Sequence, residues 1–561
     1  MMMDCLFASK GRENRLQQMA SMPFDLLVIG GGITGSGIAL DAAARGMKVG
    51  LVDMQDFAAG TSSRSTKLVH GGLRYLKQLE IRLVAEVGKE RAIVYENGPH
   101  VTTPERMLLP FYKRGTFGSL STSLGLRVYD FLAGVKKLER RRMLSATETL
   151  GREPLLNASN LLGGGSYVEY RTDDARLTIE VLKEAVQRGA QAVNYTKVNQ
   201  FIYDNGKMIG ASLTDVLNEC TYEVRARKIV NAAGPWVDTL REFDNSKQGK
   251  RLQLTKGIHL VMDRSRFPLR QAIYFDTSDG RMMFAIPRDG KAYIGTTDTE
   301  YTGDIAHPQV NAADQQYILD ALRDMFPEID LTADDVESSW AGVRPLIYEE
   351  GKGPSEISRK DEIWQSASGL ISMAGGKLTG YRKMAETVVD RIAVQLEEEG
   401  VGSFLASATK GVPISGGRVG GSDSFNDYVL RKADEGEKRG VSWELAEIWA
   451  RKYGSNVGRL YEWFDVHTTQ ADVASNCGLP PEVGVPLLYA MNEEMAATPV
   501  DFFIRRTGAL LFNISWVRTW KTPVVEYMAQ YLDWTPEAKG RYAEELDLAL
   551  HEAVVPVKVD E

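Results

Sequence analysis

The sequence predicts an α/β protein in three parts: a parallel-sheet domain that holds a dinucleotide, an antiparallel β domain inserted into it, and a helical C-terminal domain. Three observations predict it. In residues 24–53 an apolar run, a glycine-rich loop, a helix of small residues, a second apolar run and an acid follow in order. Short alternating strands dominate residues 251–345. A glycine-rich segment, 416–422, is followed by a largely helical tail.

Residues 26–29 are apolar and β-branched at the end, as a parallel strand buried on both faces requires. Gly30, Gly32 and Gly35 then complete G-x-G-x-x-G. Gly30 allows the tight turn, Gly32 lets the backbone approach a pyrophosphate, and Gly35 lets helix and strand pack closely. The helix expected over 35–45 offers its N-terminal N–H groups and dipole to the phosphates. The second strand, 49–52, ends at Asp53, placed to accept hydrogen bonds from a ribose 2′-OH. A glycine-rich turn without a ligand leaves that acid unexplained.

Residues 54–75 form a loop rich in hydroxyls and glycine that runs into a helix and carries His70 and Arg74. Its hydroxyls and backbone donors suit a phosphate or a polar ring. Further on, a helix is expected over 177–188, strands over 192–195 and 209–213, and a buried strand over 229–234 whose terminal glycine suits an approach to a cofactor phosphate. Alternating strands 257–261, 282–286 and 292–295 belong to the inserted domain. The parallel sheet resumes at 370–374, followed by the loop 375–381 and a helix to about 395. The expected division is an N-terminal extension, 1–23; a nucleotide domain, 24–100, 166–236 and 355–395; a substrate domain, 101–165 and 237–354; and a helical domain, 396–561.

Composition narrows the function. With 561 residues the chain can form two or three domains with substantial cores. A net charge of −8 argues against nucleic acid as the main partner. Cys5, Cys220 and Cys477 are few, widely separated and odd in number, which suits a reducing compartment without a disulfide framework. No apolar run is long enough to cross a bilayer, and the first 22 residues lack the apolar core of a secretory signal. No cluster has metal-ligand spacing. A cytoplasmic chain is expected, with attachment to the inner membrane surface left open. The segment for such attachment is 126–144, where Tyr129, Phe131, Leu132 and Val135 adjoin Lys136, Lys137, Arg140, Arg141 and Arg142.

The motifs Ile29-Gly-Gly-Gly-Ile-Thr-Gly-Ser-Gly-Ile-Ala-Leu-Asp-Ala-Ala-Ala-Arg-Gly46 and Gly375-Gly-Lys-Leu-Thr-Gly-Tyr-Arg-Lys-Met-Ala385 resemble the two signatures of the FAD-dependent glycerol-3-phosphate dehydrogenases. Between them Ser65-Thr-Lys-Leu-Val-His-Gly-Gly-Leu-Arg-Tyr75, Asn231-Ala-Ala-Gly-Pro-Trp236, Ile294-Gly-Thr-Thr-Asp298 and Ala341-Gly-Val-Arg-Pro-Leu346 resemble the family in the same order. The resemblance covers about residues 24–395, and the helical tail resembles the family's C-terminal domain more loosely. Asp53 stands where many FAD folds carry Glu, and either carboxylate serves a ribose.

The resemblance implies an FAD-binding Rossmann-like domain of the D-amino-acid-oxidase type. It implies oxidation of sn-glycerol 3-phosphate to dihydroxyacetone phosphate, with electrons passed to a quinone. Cofactor contacts are expected from Gly30, Gly32, Gly35, Asp53, Ser65, Thr66, Lys67, Leu68, His70, Gly71, Gly72, Val198, Ala233, Gly234, Gly376, Lys377, Leu378 and Thr379. The helix starting near Leu378 would turn its positive end to the flavin pyrimidine. Arg74, Arg344 and Lys377 are the expected cations for the substrate phosphate, with Tyr75 and Thr379 beside them. A base must take the C2 hydroxyl proton, and His70 is preferred to His259 for it. Partners implied are sn-glycerol 3-phosphate, a quinone and the membrane surface, with a homodimer left open. Rival readings are an oxidase of the same fold that uses oxygen, an amine oxidoreductase, and a non-catalytic nucleotide-binding protein.

Overall fold

The computed structural model describes residues 7–70, 81–113, 140–348, 361–469 and 477–558. The first sheet has the strand order Glu362–Gln365, Ile371–Ala374, Thr221–Asn231, Phe24–Ile29, Val49–Val52 and Gln191–Val193. All neighbours are parallel except the first pair. A hairpin of Thr196–Asp204 and Lys207–Asp215 extends from Thr221–Asn231. The glycine-loop helix Ile33–Ala44 is buried along almost its whole length, between this sheet and the helices Asp174–Gln187 and Tyr381–Glu398. Small residues allow that close fit. A Cβ at Gly35 would fall on the Gly30 carbonyl oxygen, so only glycine lets the helix lie so near the loop.

Several elements depart from the sequence expectation for local reasons. The helix expected from 177 begins at Asp174, because the Asp173 side chain caps it by accepting a hydrogen bond from the Arg176 N–H. The strand expected over 192–195 stops at Val193: Tyr195 takes φ 50° and gives its N–H to the Gln55 carbonyl. The N-terminal extension contains a helix, Arg12–Ser21, whose Leu16 and Met19 are buried in the core of the first sheet.

The second sheet runs Thr299–Glu300, Leu252–Asp263, Lys291–Gly295, Met282–Arg288, Ala272–Asp276, Thr102–Tyr112, Leu161–Thr172 and Leu68–Val69. Val336–Ile347 adds to Leu252–Asp263, and Arg142–Ser145 to Leu161–Thr172. The expected boundary at 166 therefore cuts a continuous strand. Leu161–Thr172 pairs with Thr102–Tyr112 of the second sheet along its length, and its glycines 163–165 had hidden its alternation. The helix Ala312–Met325 covers one face of this sheet, closing a core of Ile258, Leu260, Phe275, Ile318 and Phe326.

The tail is helical, with a core of its own that includes Trp449, Tyr461, Leu487, Phe502, Val524 and Met528. The glycine-rich segment before it is packed rather than loose. Ser422 Oγ donates to Glu96 Oε2 at 2.6 Å, and a Cβ at Gly417 would strike the Asn97 carbonyl. Among the described residues no helix is long and apolar enough to cross a membrane.

Candidate active site

A cavity of about 520 Å³ opens at the carboxyl ends of the parallel strands, between the two sheets. Gly30, Gly32, Asp53, Ser65, Val198, Ala233, Gly234, Gly376, Lys377 and Leu378, all expected cofactor contacts, line it. Four segments far apart in sequence thus converge. The parallel register does this, because Ile29 pairs with both Val52 and Asn231, so the loops that follow these strands start at one level.

Gly30 takes φ +110°, and a Cβ there would meet the Ala232 carbonyl oxygen at 2.5 Å. Gly32 differs. Its φ of −76° is open to any residue, and its Cβ would meet only the Ser62 hydroxyl, at 3.1 Å. The fold therefore does not require glycine at 32, yet the position lines the cavity at the N-terminus of a helix that has no side-chain cap. That is the form of a phosphate cradle. Gly35 packs beneath the loop instead of facing the cavity.

Asp53 Oδ2 accepts the Gly31 N–H at 2.6 Å, and Oδ1 accepts the Gln55 N–H at 2.9 Å. Burial raises its pKa to about 7, with repulsion from Asp56 adding to the effect; the two N–H groups and Arg505 oppose it. An acid so poised gains from any further hydrogen-bond donor.

The hydroxyl loop is pinned at nearly every residue. Thr61 Oγ1 donates to the Val343 carbonyl at 2.7 Å, and Ser62 Oγ accepts the Ile33 N–H at 2.9 Å. Asp174 accepts both the backbone N–H and the hydroxyl of Ser65, and pairs with Lys67 Nζ at 2.6 Å. The Lys67 ammonium is thus engaged by the Ser63 carbonyl and Asp174. Thr66 Oγ1 lies 3.0 Å from His259 Nε2, and the Thr66 carbonyl accepts from Tyr293. Leu68 is buried in strand pairing with Arg171. Ser62, Thr34, Thr196, Lys197 and Trp236 also line the cavity and were not singled out from the sequence. The hydroxyl-rich composition of the loop was the available signal for Ser62; Thr196 and Lys197 carried none.

Of the substrate candidates, Arg344, Lys377 and Thr379 are among the described residues. Arg344 Nη2 donates to Thr296 Oγ1 at 2.9 Å, and Nη1 to the Thr297 carbonyl and to Asp298 Oδ1 at 3.2 and 3.3 Å. Gly257 leaves the space for that guanidinium, and Gly295 leaves the space for the His259 ring. His259 is fully buried, stacked on Trp340 with ring centroids 4.7 Å apart. Burial, then the positive charges of Arg344 and Lys67, hold it well below the ordinary imidazole range, so it is neutral. Thr379 Oγ1 donates to the His70 carbonyl at 3.2 Å, joining the second signature to the hydroxyl loop. His70 is half-buried, its ring edge-on to Phe284. The helix expected near Leu378 starts there as a single 3-10 turn, Leu378–Gly380, and continues as Tyr381–Glu398. Gly71, Gly72, Arg74 and Tyr75 lie outside the described residues.

This cavity and fold define a class, the FAD-dependent oxidoreductases, and residues 25–382 match the family described as DAO, FAD dependent oxidoreductase. Residues 407–539 match the C-terminal domain of alpha-glycerophosphate oxidase. The chain is 60% identical to the aerobic glycerol-3-phosphate dehydrogenase of Bacillus subtilis (strain 168) over 557 residues, 99% of this chain and all of that one. It is 55% identical to the protein of the same name from Staphylococcus aureus (strain USA300), over 97% of each. The structure of the glycerol-3-phosphate dehydrogenase from Bacillus halodurans complexed with FAD superposes with a TM-score of 0.86 at 51% identity, over 99% of this chain and all of that one. The L-α-glycerophosphate oxidase of Mycoplasma pneumoniae shares the fold, with a TM-score of 0.54 at 18% identity over 69% of this chain and 97% of that one. The chain belongs to the family of FAD-dependent aerobic glycerol-3-phosphate dehydrogenases, and its cofactor is FAD.

Gly32 allows a direct test. Gly32→Val should give a protein with the circular-dichroism melt of the wild-type apoprotein but no flavin absorbance, because the side chain fills the cradle without striking the backbone. Full flavin occupancy in that variant would refute the assignment of the cavity.

Proposed function

We propose that the protein oxidises sn-glycerol 3-phosphate to dihydroxyacetone phosphate and passes the electrons to a quinone. The observation that carries this reading is similarity along the whole chain, helical domain included, to proteins named aerobic glycerol-3-phosphate dehydrogenase. Relatives at this level of identity are named dehydrogenases, so the oxidase alternative is not favoured.

When bound, FAD supplies the hydride acceptor for the hydrogen on C2. The chain's residues do the rest. Gly32 and the helix Ile33–Ala44 take the pyrophosphate, and Asp53 takes the ribose hydroxyls. Arg344 and Lys377, with Arg74 from the same loop as His70, hold the substrate phosphate; a guanidinium already fixed by Thr296 and Asp298 meets it without reorganising. His70 receives the C2 hydroxyl proton on its imidazole. His259 is unsuited to that step because it is buried against Trp340 and spends Nε2 on Thr66; its role is to fix Thr66. For the quinone, which stays in lipid, the sequence of residues 126–144 is the candidate segment for meeting the bilayer, and 126–139 lie outside the described residues.

Glycerol 3-phosphate should bleach the purified yellow protein anaerobically, and a soluble quinone should restore the colour much faster than oxygen does. Rapid peroxide release without quinone would turn the reading to an oxidase. In stopped-flow reduction, Arg344→Ala should lower kcat/KM roughly tenfold or more, the loss expected for one charge-assisted hydrogen bond of about 1.5–3 kcal/mol. His70→Gln should slow the reduction step itself by about 10²–10⁴-fold, with flavin content intact; an unchanged rate would move the base elsewhere.

The Asp53 carboxyl gives a pH dependence with a definite sign. Between the ordinary carboxylate range and about 7 the folded ligand-free chain holds a proton that the unfolded chain has lost, so this group's contribution to stability falls as pH rises through that window. Ribose hydroxyls donate to the charged form, so binding expels the proton. The FAD dissociation constant should be flat above about pH 7 and weaken up to about tenfold per pH unit below it. Fluorescence titration of the apoprotein reads this, and Asp53→Asn should flatten the profile.

A further inference from the structure

The carboxylate turn that ends in Asp53 is gripped from a part of the chain to which no role in cofactor binding has been given. Three residues beyond Asp53, Asp56 is fully buried. Arg505 Nε donates to its Oδ2 at 2.5 Å, and Arg506 donates to Oδ2 and Oδ1 at 2.8 and 2.9 Å. Asn194 Nδ2 completes the set at 2.9 Å on Oδ1. Arg505 and Arg506 are consecutive in a π-helical turn of the C-terminal domain, Asp501–Arg506, and lie 449 and 450 residues from Asp56.

We propose that Arg505 and Arg506 are positioning residues for FAD, acting through Asp56 to set the turn that presents Asp53 to the cofactor ribose. The backbone of the turn is tied to the strand end beside it, where the Thr196 N–H donates to the Asp53 carbonyl at 2.6 Å and the Tyr195 N–H to that of Gln55 at 2.9 Å, and to the loop after it, where the Ala59 N–H donates to the Asp56 carbonyl at 3.1 Å. That strand end is held by the same π turn, since the Tyr195 hydroxyl donates to Asp501 Oδ1 at 2.6 Å. Asp501 in turn accepts from Arg505, and its other oxygen from the N–H groups of Ala497 and Thr498. Both walls of the ribose end therefore rest on one turn of the helical domain.

The charges fit this function. Burial alone would push the Asp56 carboxyl up, but Arg506 and then Arg505 bring it down to about 2, so it stays ionised. An ionised Asp56 without its two guanidinium partners would repel the Asp53 carboxylate and favour water entering the turn. Two-point grip by arginine also fixes an orientation, which a single ammonium does not. The C-terminal domain thus completes the nucleotide site from behind instead of standing apart from it.

The experiment measures FAD and ADP dissociation constants on apoprotein for Arg505→Lys, Arg506→Lys and Asp56→Asn, together with the apoprotein melt and KM for glycerol 3-phosphate on flavin-saturated enzyme. The expected result is a loss of roughly tenfold or more in FAD affinity, with ADP affinity falling by a similar factor, because the damage lies at the ribose end. KM should hold. Leu546→Ala, a cavity in the helical domain's own core, should lower the melting temperature while leaving FAD affinity unchanged. If an arginine variant fails to fold, Asp56→Asn keeps the shape of the turn and removes the charge that both arginines grip. The proposal rests on the assignment of Asp53 to the ribose. Asp53→Asn without effect on FAD affinity would overturn both. A normal loss in Asp53→Asn beside wild-type affinity in the other three would overturn this proposal alone, as would an equal loss in Leu546→Ala.

Discussion

One polar seam decides where the cofactor and the substrate meet: the hydroxyl loop, residues 61–69, fastened by the buried carboxylate of Asp174. Ordering such a loop costs about 1–2 kcal/mol per residue in backbone entropy, so it must be paid back by contacts at almost every position. Asp174 takes the Ser65 N–H, the Ser65 hydroxyl and the Lys67 ammonium at once. The first part of the loop belongs to the dinucleotide sheet through Ser62 and Ile33. The last part, Leu68–Val69, is a strand of the other sheet, paired with Tyr170 and Arg171. A single short segment therefore joins the two sheets, and the relative position of cofactor and substrate walls follows from it.

The helical domain reinforces this seam from the far side. Phe512 packs edge-on against both Tyr293 and Trp340, and Ser338 donates to the Leu511 carbonyl. Trp340 and Tyr293 are the residues that hold the carbonyls of Ser65 and Thr66, and Trp340 carries the His259 ring. Between the helical domain and the helix Asp174–Gln187 a buried set of charges, Arg176 and Lys183 facing Glu494, adds no large stability, because desolvation offsets most of the attraction. What such a set supplies is register, since any other docking would strand a charge. Apolar wedges and paired charges thus act on different loops toward the same end.

This explains what was legible in the sequence. The glycine loop, its flanking strands and Asp53 could be read because the pattern they form is continuous in sequence, even though Gly30 also answers to the distant Ala232 carbonyl. Strands near 257–261, 282–286 and 292–295 were legible through alternation; Thr102–Tyr112 was not, nor was its partner Leu161–Thr172, where consecutive glycines removed the side chains that show a period. The partner of Lys67 was not legible, because nothing nearby in sequence reveals Asp174, which lies 107 residues away. Likewise the sequence of 416–422 does not show why Gly417 and Gly421 are glycine: Asn97 and Glu96 press against them. Residues whose roles are set by distant partners were not readable.

The cationic side of the site follows the same rule of restraint. Arg344 faces a carboxylate, Asp298, as well as the hydroxyl and carbonyl of the two residues before it, which cancels part of its charge. A fully exposed cation would attract a phosphate more strongly at long range, but it would be mobile and hydrated. Held by three acceptors, the guanidinium has a fixed orientation instead of a mobile one. The nearby His259 is kept neutral by burial and by that same positive charge, so it adds no second positive charge beside Arg344. Orientation is thus gained at the expense of raw attraction, and for a reaction in which one carbon–hydrogen bond must point at the cofactor, orientation is the scarcer quantity.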